Sequence, residues 1–244
     1  MLSVLVLAAA LVVPGVGLDG LDNAAGADIP DLAYGDQGPL VAELNRRLNN
    51  AGFNADEAEE FGRETRHAVY AFQKHHEMPT DGVFTAHMWD VLAEPITLPR
   101  QQFPDRVEVN LGTQTLYVLE NQEIVYIAPI SSGNGETYES SSGGRAYAVT
   151  PEGEYAFERR IDGVRKSFLG TLYNPYYFKG GFAIHGSGSV PNYPASHGCV
   201  RVTMWDSIEL KDNYFFVGQP VYVYGYRTPV IEEYEPVLPR TEFN

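Results

Sequence analysis

The chain has 244 residues, of which 44% are hydrophobic, 12% aromatic and 20% charged. That is the composition of an ordinary globular protein with enough apolar surface for a core, and it excludes a disordered tail protein. Seventeen Lys and Arg against 32 Asp and Glu give a formal charge of −15, which argues against nucleic acid or anionic lipid as a partner, because phosphate contacts need clustered cations.

The first element is an unbroken apolar run, Leu2 to Val13, stopped by Pro14 and Gly15. It is short of the roughly 20 residues that span a bilayer and has the length of a signal-peptide core. Ala25-Gly26-Ala27 supplies the small-x-small pattern of a cleavage site. Residues 1–27 are therefore expected to be a signal peptide or N-terminal hydrophobic segment, cut before Asp28, with an exported product and no stable membrane span. The usual basic lead is missing: no Lys or Arg precedes Arg46.

Residues 32–95 read as helical. Leu40, Leu44 and Leu48 form one apolar stripe that Gly52 can end, and a second helix, about Glu64 to His76, carries Val69 and Phe72 on one side. Met78-Pro79-Thr80-Asp81-Gly82 is a turn, after which Thr85 is expected to cap a short helix with Met88, Trp89 and Leu92. His67, His75, His76 and His87 lie in this segment without acidic or thiol partners at ligand spacing, so they read as surface histidines rather than a metal site.

Residues 96–105 form a linker, in a stretch with prolines at 95, 99 and 104. Beyond it the period changes to two. Val107, Val109 and Leu111 alternate with polar neighbours, Leu116 and Val118 resume the pattern, and Asn121-Gln122 turns the chain into Ile124 to Ile130. Further strands are expected at Gly153 to Phe157, Phe182 to His185 and Val221 to Tyr226, with residues 227–244 as a tail. Ser131 to Gly144 reads as a flexible loop, and it lacks the Gly-Lys-Ser/Thr ending of a nucleotide-binding loop.

The chemistry concentrates in Ala183-Ile184-His185-Gly186-Ser187 and Ser196-His197-Gly198-Cys199-Val200-Arg201-Val202. Cys199 is the single cysteine, so no internal disulfide forms, and a lone thiol is by default a small buried hydrophobe. Here it stands two residues after one histidine and fourteen after another, beside glycines that let backbone approach a substrate, which is a cysteine-nucleophile arrangement. A free thiol, with a pKa near 8.5, is only a few per cent ionised at neutrality, and a neighbouring imidazolium is expected to lower that pKa. Spacing alone leaves the choice between His185 and His197 open. Arg201 reads either as a contact for a substrate carboxylate or as half of a structural ion pair. Tyr173, Tyr176, Tyr177 and Phe178 read as cleft wall or aromatic core.

Two family resemblances organise these segments. Gly35-x-x-Gly38, the Leu40/Val41/Leu44/Leu48 stripe, Gly52-Phe53, Phe61-Gly62-x-x-Thr65-x-x-Ala68-Val69-x-x-Phe72-Gln73 and Asp81-Gly82-Val83-Phe84 before Trp89 resemble a three-helix bacterial peptidoglycan-binding domain. Residues 106–226 resemble the catalytic domain of the L,D-transpeptidases (the YkuD-like family) through Ser131-Ser132-Gly133-Asn134-Gly135-Glu136, Thr150-Pro151-x-Gly153-x-Tyr155, Tyr173-Asn174-Pro175, the His-Gly element and Ser-His-Gly-Cys.

Together they imply an α+β multidomain chain, a small all-α domain followed by a mainly β, sandwich-like catalytic domain. They further imply Cys199 as nucleophile and His185 as general acid/base. Backbone N–H groups of His197, Gly198 and Cys199 would form an oxyanion hole, Ser196 would shape the turn, and the Gly186 carbonyl would orient the His185 ring. Tyr173 and Arg201 are the substrate-binding candidates. The implied reaction builds 3→3 cross-links between peptidoglycan stem peptides in the cell envelope, in cell-wall biogenesis and the control of cell shape, without cofactor or metal, and carbapenem-type β-lactams are implied as inhibitors. An L,D-carboxypeptidase and a non-catalytic wall-binding protein are the competing readings.

Overall fold

The computed structural model describes residues 29–98, 101–141 and 143–225. The expected signal segment and the tail at 227–244 lie outside the described residues. Three helices come first, α1 (Pro39–Asn50), α2 (Arg63–His75) and α3 (Met88–Ala93). Pro39 stands in the first turn of α1, where its missing N–H costs nothing. Gly52, at φ +88°, ends that helix as its stripe predicts: the Phe53 N–H reaches back to the Leu48 carbonyl at 2.8 Å. Thr85 does not cap α3. The N-cap position is His87, without a side-chain hydrogen bond, because a turn intervenes between Thr85 and the helix.

Twelve strands follow: β1 (Arg106–Asn110), β2 (Thr115–Glu120), β3 (Glu123–Pro129), β4 (Thr137–Glu139), β5 (Arg145–Tyr147), β6 (Gly153–Ala156), β7 (Arg159–Arg160), β8 (Val164–Ser167), β9 (Gly170–Lys179), β10 (Phe182–Gly186), β11 (Val200–Val202) and β12 (Pro220–Tyr224). A fourth helix, α4 (Met204–Glu209), running into one π turn at Leu210–Tyr214, comes between β11 and β12. One sheet has the order β3-β2-β1-β12-β6; the other runs β11-β10-β9-β7, with β8 also on β9. The segment expected as a loop at Ser131 to Gly144 contributes β4, which pairs with β5 as a separate hairpin.

The sheets enclose one core, in which Val107, Val109, Leu116 and Val118 meet Tyr176, Phe178, Ile184, Val200 and Val202. The alternation in β1 and β2 sends every second side chain there. The other face of the first sheet is covered too: Tyr117, Leu119 and Ile127 join Leu48, Phe53, Phe72 and Trp89 in a second apolar cluster. Glu108, polar by pattern, is consequently buried, paired with Arg106 at 2.6 Å and accepting from the Tyr224 hydroxyl at 2.7 Å.

Helices and sheets thus make one compact unit from Asp31 onward. Two of the histidines expected on the surface lie instead at this contact. His75 Nδ1 is 2.8 Å from the Tyr117 hydroxyl, and His67 Nε2 is 2.8 Å from the Asp206 carboxylate of α4. Asp206 is wholly buried, also accepts from Tyr126 and Thr203, and is held below the usual carboxylate range by these donors despite its burial. Since an ionised carboxylate only accepts, His67 Nε2 carries the proton of that bond. Lys74 donates to the Ile130 carbonyl at 3.0 Å, and burial pushes its pKa down to about 7.

Candidate active site

Strands β10 and β11 run parallel, with Ile184 opposite Val200, His185 opposite Arg201 and Gly186 opposite Val202. Ile184, Val200 and Val202 face the core, so the period of two turns Ala183, His185, Cys199 and Arg201 to the other face. That face floors a cleft of about 740 Å³. Cys199 and His185 are diagonal neighbours there, one strand spacing (about 4.8 Å) and two residues (about 6.6 Å) apart at the backbone. Leu172, Tyr177 and Ala183 form a small apolar patch against which Cys199 packs.

The turn before Cys199 is fixed from several sides. Gly198 has φ +123°, and a Cβ there would stand 2.7 Å from the Phe182 ring. Its N–H donates to Ser196 Oγ at 3.0 Å, while the Ser196 hydroxyl donates to the Cys199 carbonyl. Thr150 Oγ1 donates to the Gly198 carbonyl at 2.8 Å and accepts from the Gly133 N–H at 2.9 Å. Ser131 bridges Arg201 through both backbone bonds, and the Ser132 carbonyl accepts from Ala195 and Ser196. The Ser131–Asn134 segment therefore straps the cysteine turn to the sheet. Sequence reasoning assigned no role to Thr150 or Ser131, although both lie in quoted motifs.

Because the Gly198 amide is already committed to Ser196, it is not free to serve an oxyanion hole. The amides of His197 and Cys199 have no acceptor among the described residues. The His197 ring is exposed and turned onto Tyr138, centroid to centroid 4.9 Å.

His185 Nδ1 is 2.9 Å from the Gly186 carbonyl. A carbonyl only accepts, so Nδ1 carries the hydrogen and Nε2 of the neutral ring keeps its lone pair. Burial, with a smaller push from Arg201 against the pull of the Gly186 carbonyl, holds the His185 pKa near 4. Burial also pushes the Cys199 thiol up, opposed by the Ala183 backbone and Arg201. The thiol's hydrogen bond goes to the Gly181 carbonyl at 3.8 Å. The resting pair is thus neutral imidazole beside neutral thiol, and the expected imidazolium is absent because the apolar surroundings disfavour either charge.

Gly186 is required for packing. A Cβ would lie 2.4 Å from Ser207 Oγ, 2.7 Å from Ser207 Cβ and 3.1 Å from Tyr173 Cβ. Tyr173 consequently sits on the α4 side of the sheet and does not line the cleft, contrary to its expected role. Tyr177 does, because it is paired with Ala183 on the cleft face, while Tyr176 and Phe178 belong to the core. Arg201 lines the cleft and has no carboxylate within 4 Å among the described residues, so the ion-pair reading falls away. Among the described residues no three His, Cys, Asp or Glu gather as a metal cluster, and no helix is long and apolar enough to cross a membrane.

Two family models match the chain: the L,D-transpeptidase catalytic domain (YkuD) at residues 104–223 and a putative peptidoglycan binding domain at residues 37–92. The chain is 38% identical to the crystal structure of the L,D-transpeptidase (residues 123–326) from Xylanimonas cellulosilytica. That match covers 81% of this chain and 100% of the other with a TM-score of 0.74. An L,D-transpeptidase structure from Stackebrandtia nassauensis is 21% identical over 82% of this chain and 98% of its own, with a TM-score of 0.47. No curated protein matches the chain at a significant level.

Proposed function

We propose that this chain, which belongs to the L,D-transpeptidase family, joins peptidoglycan stem peptides by 3→3 cross-links through a thioester on Cys199. One observation carries the reading: Cys199 and His185 share the cleft floor, and the ring has its Nδ1–H tied to the Gly186 carbonyl, leaving Nε2 bare.

As sulfur attacks the carbonyl of the third stem residue, a diamino acid such as meso-diaminopimelate, the thiol proton passes to His185 Nε2. The oxyanion takes hydrogen bonds from the His197 and Cys199 amides. The bond to the terminal D-alanine then breaks, and its amine leaves with the proton held by His185. The side-chain amine of a second stem attacks the thioester, gives its proton to Nε2, and sulfur leaves and recovers that proton. The neutral resting pair suits this cycle, since a bare imidazole accepts the proton only as the sulfur charge is consumed by the carbonyl. Each oxyanion donor is worth roughly 2.7–4 kcal/mol by analogy with other acyl-transfer sites. Carbapenem-type β-lactams acylate the same sulfur, and the helical unit holds the enzyme to the exported cell wall.

The test is to incubate the full chain with a disaccharide-tetrapeptide and weigh the products. Cross-linked dimers are expected, and Cys199→Ala should abolish them. Tripeptides without dimers would mean that water resolves the thioester, and unchanged substrate would overturn the catalytic reading.

A further inference from the structure

The protein is acidic overall, yet its cleft is not. Among the described residues lining it, Arg159, Arg165 and Arg201 are charged and no Asp or Glu is present. Of the carboxylates nearest in the chain, Glu139 on β4 is exposed and is not part of the lining, and three others are engaged. Glu158 accepts from the Gly180 N–H at 3.1 Å, Asp162 pairs with Arg160 at 3.4 Å, and Glu136 accepts from Asn134. None of the three cleft arginines has a carboxylate within 4 Å among the described residues. Arg159 lies over the Tyr177 ring, 3.4 Å from its centroid, and gives one N–H to the Gly180 carbonyl. Arg165 gives one to the Lys166 carbonyl. The remaining donors of each fork meet no acceptor among the described residues.

Arg159 stands on β7 and Arg165 on β8, both paired with β9, whereas Arg201 is on the floor two residues from Cys199. The cations therefore line two sides of the cleft. A low-dielectric groove lined by one sign of charge focuses the field locally, whatever the net charge of the molecule. Unpaired guanidinium forks in such a groove fit carboxylates, which they bind bidentately.

We infer that the cleft selects stem peptides whose side carboxylates are free, with Arg159 and Arg165 as the specificity determinants that hold them, and that it discriminates against stems whose carboxylates are amidated. The inference rests on the proposed action on peptidoglycan stems and names which chemical form of the stem is taken. It also reconciles a protein of formal charge −15 with a stem that carries carboxylates: among the described residues no Asp or Glu lines the cleft, and its charged lining is cationic.

The experiment compares two disaccharide-tetrapeptides, one with free side carboxylates and one with the same groups as carboxamides. Product formation is measured with the full chain, and equilibrium binding is measured by calorimetry on the Cys199→Ala full chain. The wild type should favour the free-carboxylate stem by about tenfold in kcat/KM, mostly through KM, and the preference should shrink as salt is raised from 0.05 to 0.5 M. Arg165→Gln should reduce the ratio at least threefold, Arg159→Gln/Arg165→Gln should bring it near one, and Arg165→Lys should retain part of it. Arg165 is exposed, so its substitution does not threaten the fold, and Arg46→Gln on α1 is the charge-matched control that leaves the ratio unchanged.

Equal turnover of both stems, or a ratio that survives the double substitution, would overturn the inference while leaving the cross-linking reading intact. Absence of product from either stem, with calorimetry still favouring the free-carboxylate form, would remove the cross-linking reading and keep this one. Equal or absent binding of both stems would remove this one.

Discussion

The neutral state of the thiol–imidazole pair makes a prediction that separates it from a preformed ion pair. With the thiol pushed above its ordinary value and His185 held near 4, the two groups differ by at least about 4.5 pK units, taking the ordinary thiol value of about 8.5 as the lower bound. Moving the proton from sulfur to nitrogen in the empty cleft then costs at least about 6 kcal/mol. No more than a few per cent of molecules carry the thiolate at about pH 7. Alkylation of Cys199 by iodoacetamide should therefore rise about tenfold per pH unit from pH 6 to 8, without a plateau in that range. His185→Ala should leave that slope in place, although it removes the base for turnover and costs about 10² to 10⁴ in rate. Arg201→Gln should slow alkylation at every pH below 9, because the guanidinium lowers the thiol pKa. A flat alkylation rate between pH 5 and 8 that disappears in His185→Ala would refute the reasoning, since only a thiolate–imidazolium pair behaves that way.

Three further outcomes follow from the packing. Asp206→Ala leaves Tyr126, Thr203 and His67 without their shared acceptor and should cost about 3–5 kcal/mol in urea unfolding. The transition should stay single if helices and sheets unfold together. Gly186→Ala forces a Cβ into Ser207 and should destabilise by about 1–3 kcal/mol, part of which Ser207→Gly in the same chain should recover; no recovery would show the clash to lie elsewhere. His75 and His185 both have pKa values lowered to about 4. Between pH 6.5 and 4 the unfolded chain binds protons that the folded one refuses, so their stabilisation is complete above pH 6.5 and is lost as pH falls toward 4. His185 contributes up to about 3 kcal/mol of this and the less buried His75 less. The melting temperature should drop over that range, and less so in His185→Gln.

Much of the architecture is written locally. The Leu40/Leu44/Leu48 stripe and the alternation from Val107 to Val118 need only neighbours a few residues away to show their period, so α1, β1 and β2 were legible. The segments β7, β8 and β11 were not, because they are short and rely on pairing with distant strands. Of the cleft chemistry, the residue types His185, Gly186 and Cys199 and their glycine-rich company were already apparent in the chain.

What only the tertiary structure decided is the electrostatic state and the surroundings of those residues. Proximity of His185 to Cys199 reads as an ion pair until burial is known, and it is burial that leaves both groups neutral. Tyr173 and Tyr177 look equivalent in sequence, yet the register of β9 against β10 sends one toward α4 and the other into the cleft. His67 and His75 read as solvated until α4 is seen to cover the first and the sheet the second, and the arginines of β7 and β8 become a cationic wall only when their strands pair with β9. Periodicity is a property of adjacent residues, whereas desolvation and charge focusing are sums over everything nearby in space, which the order of the residues does not reveal.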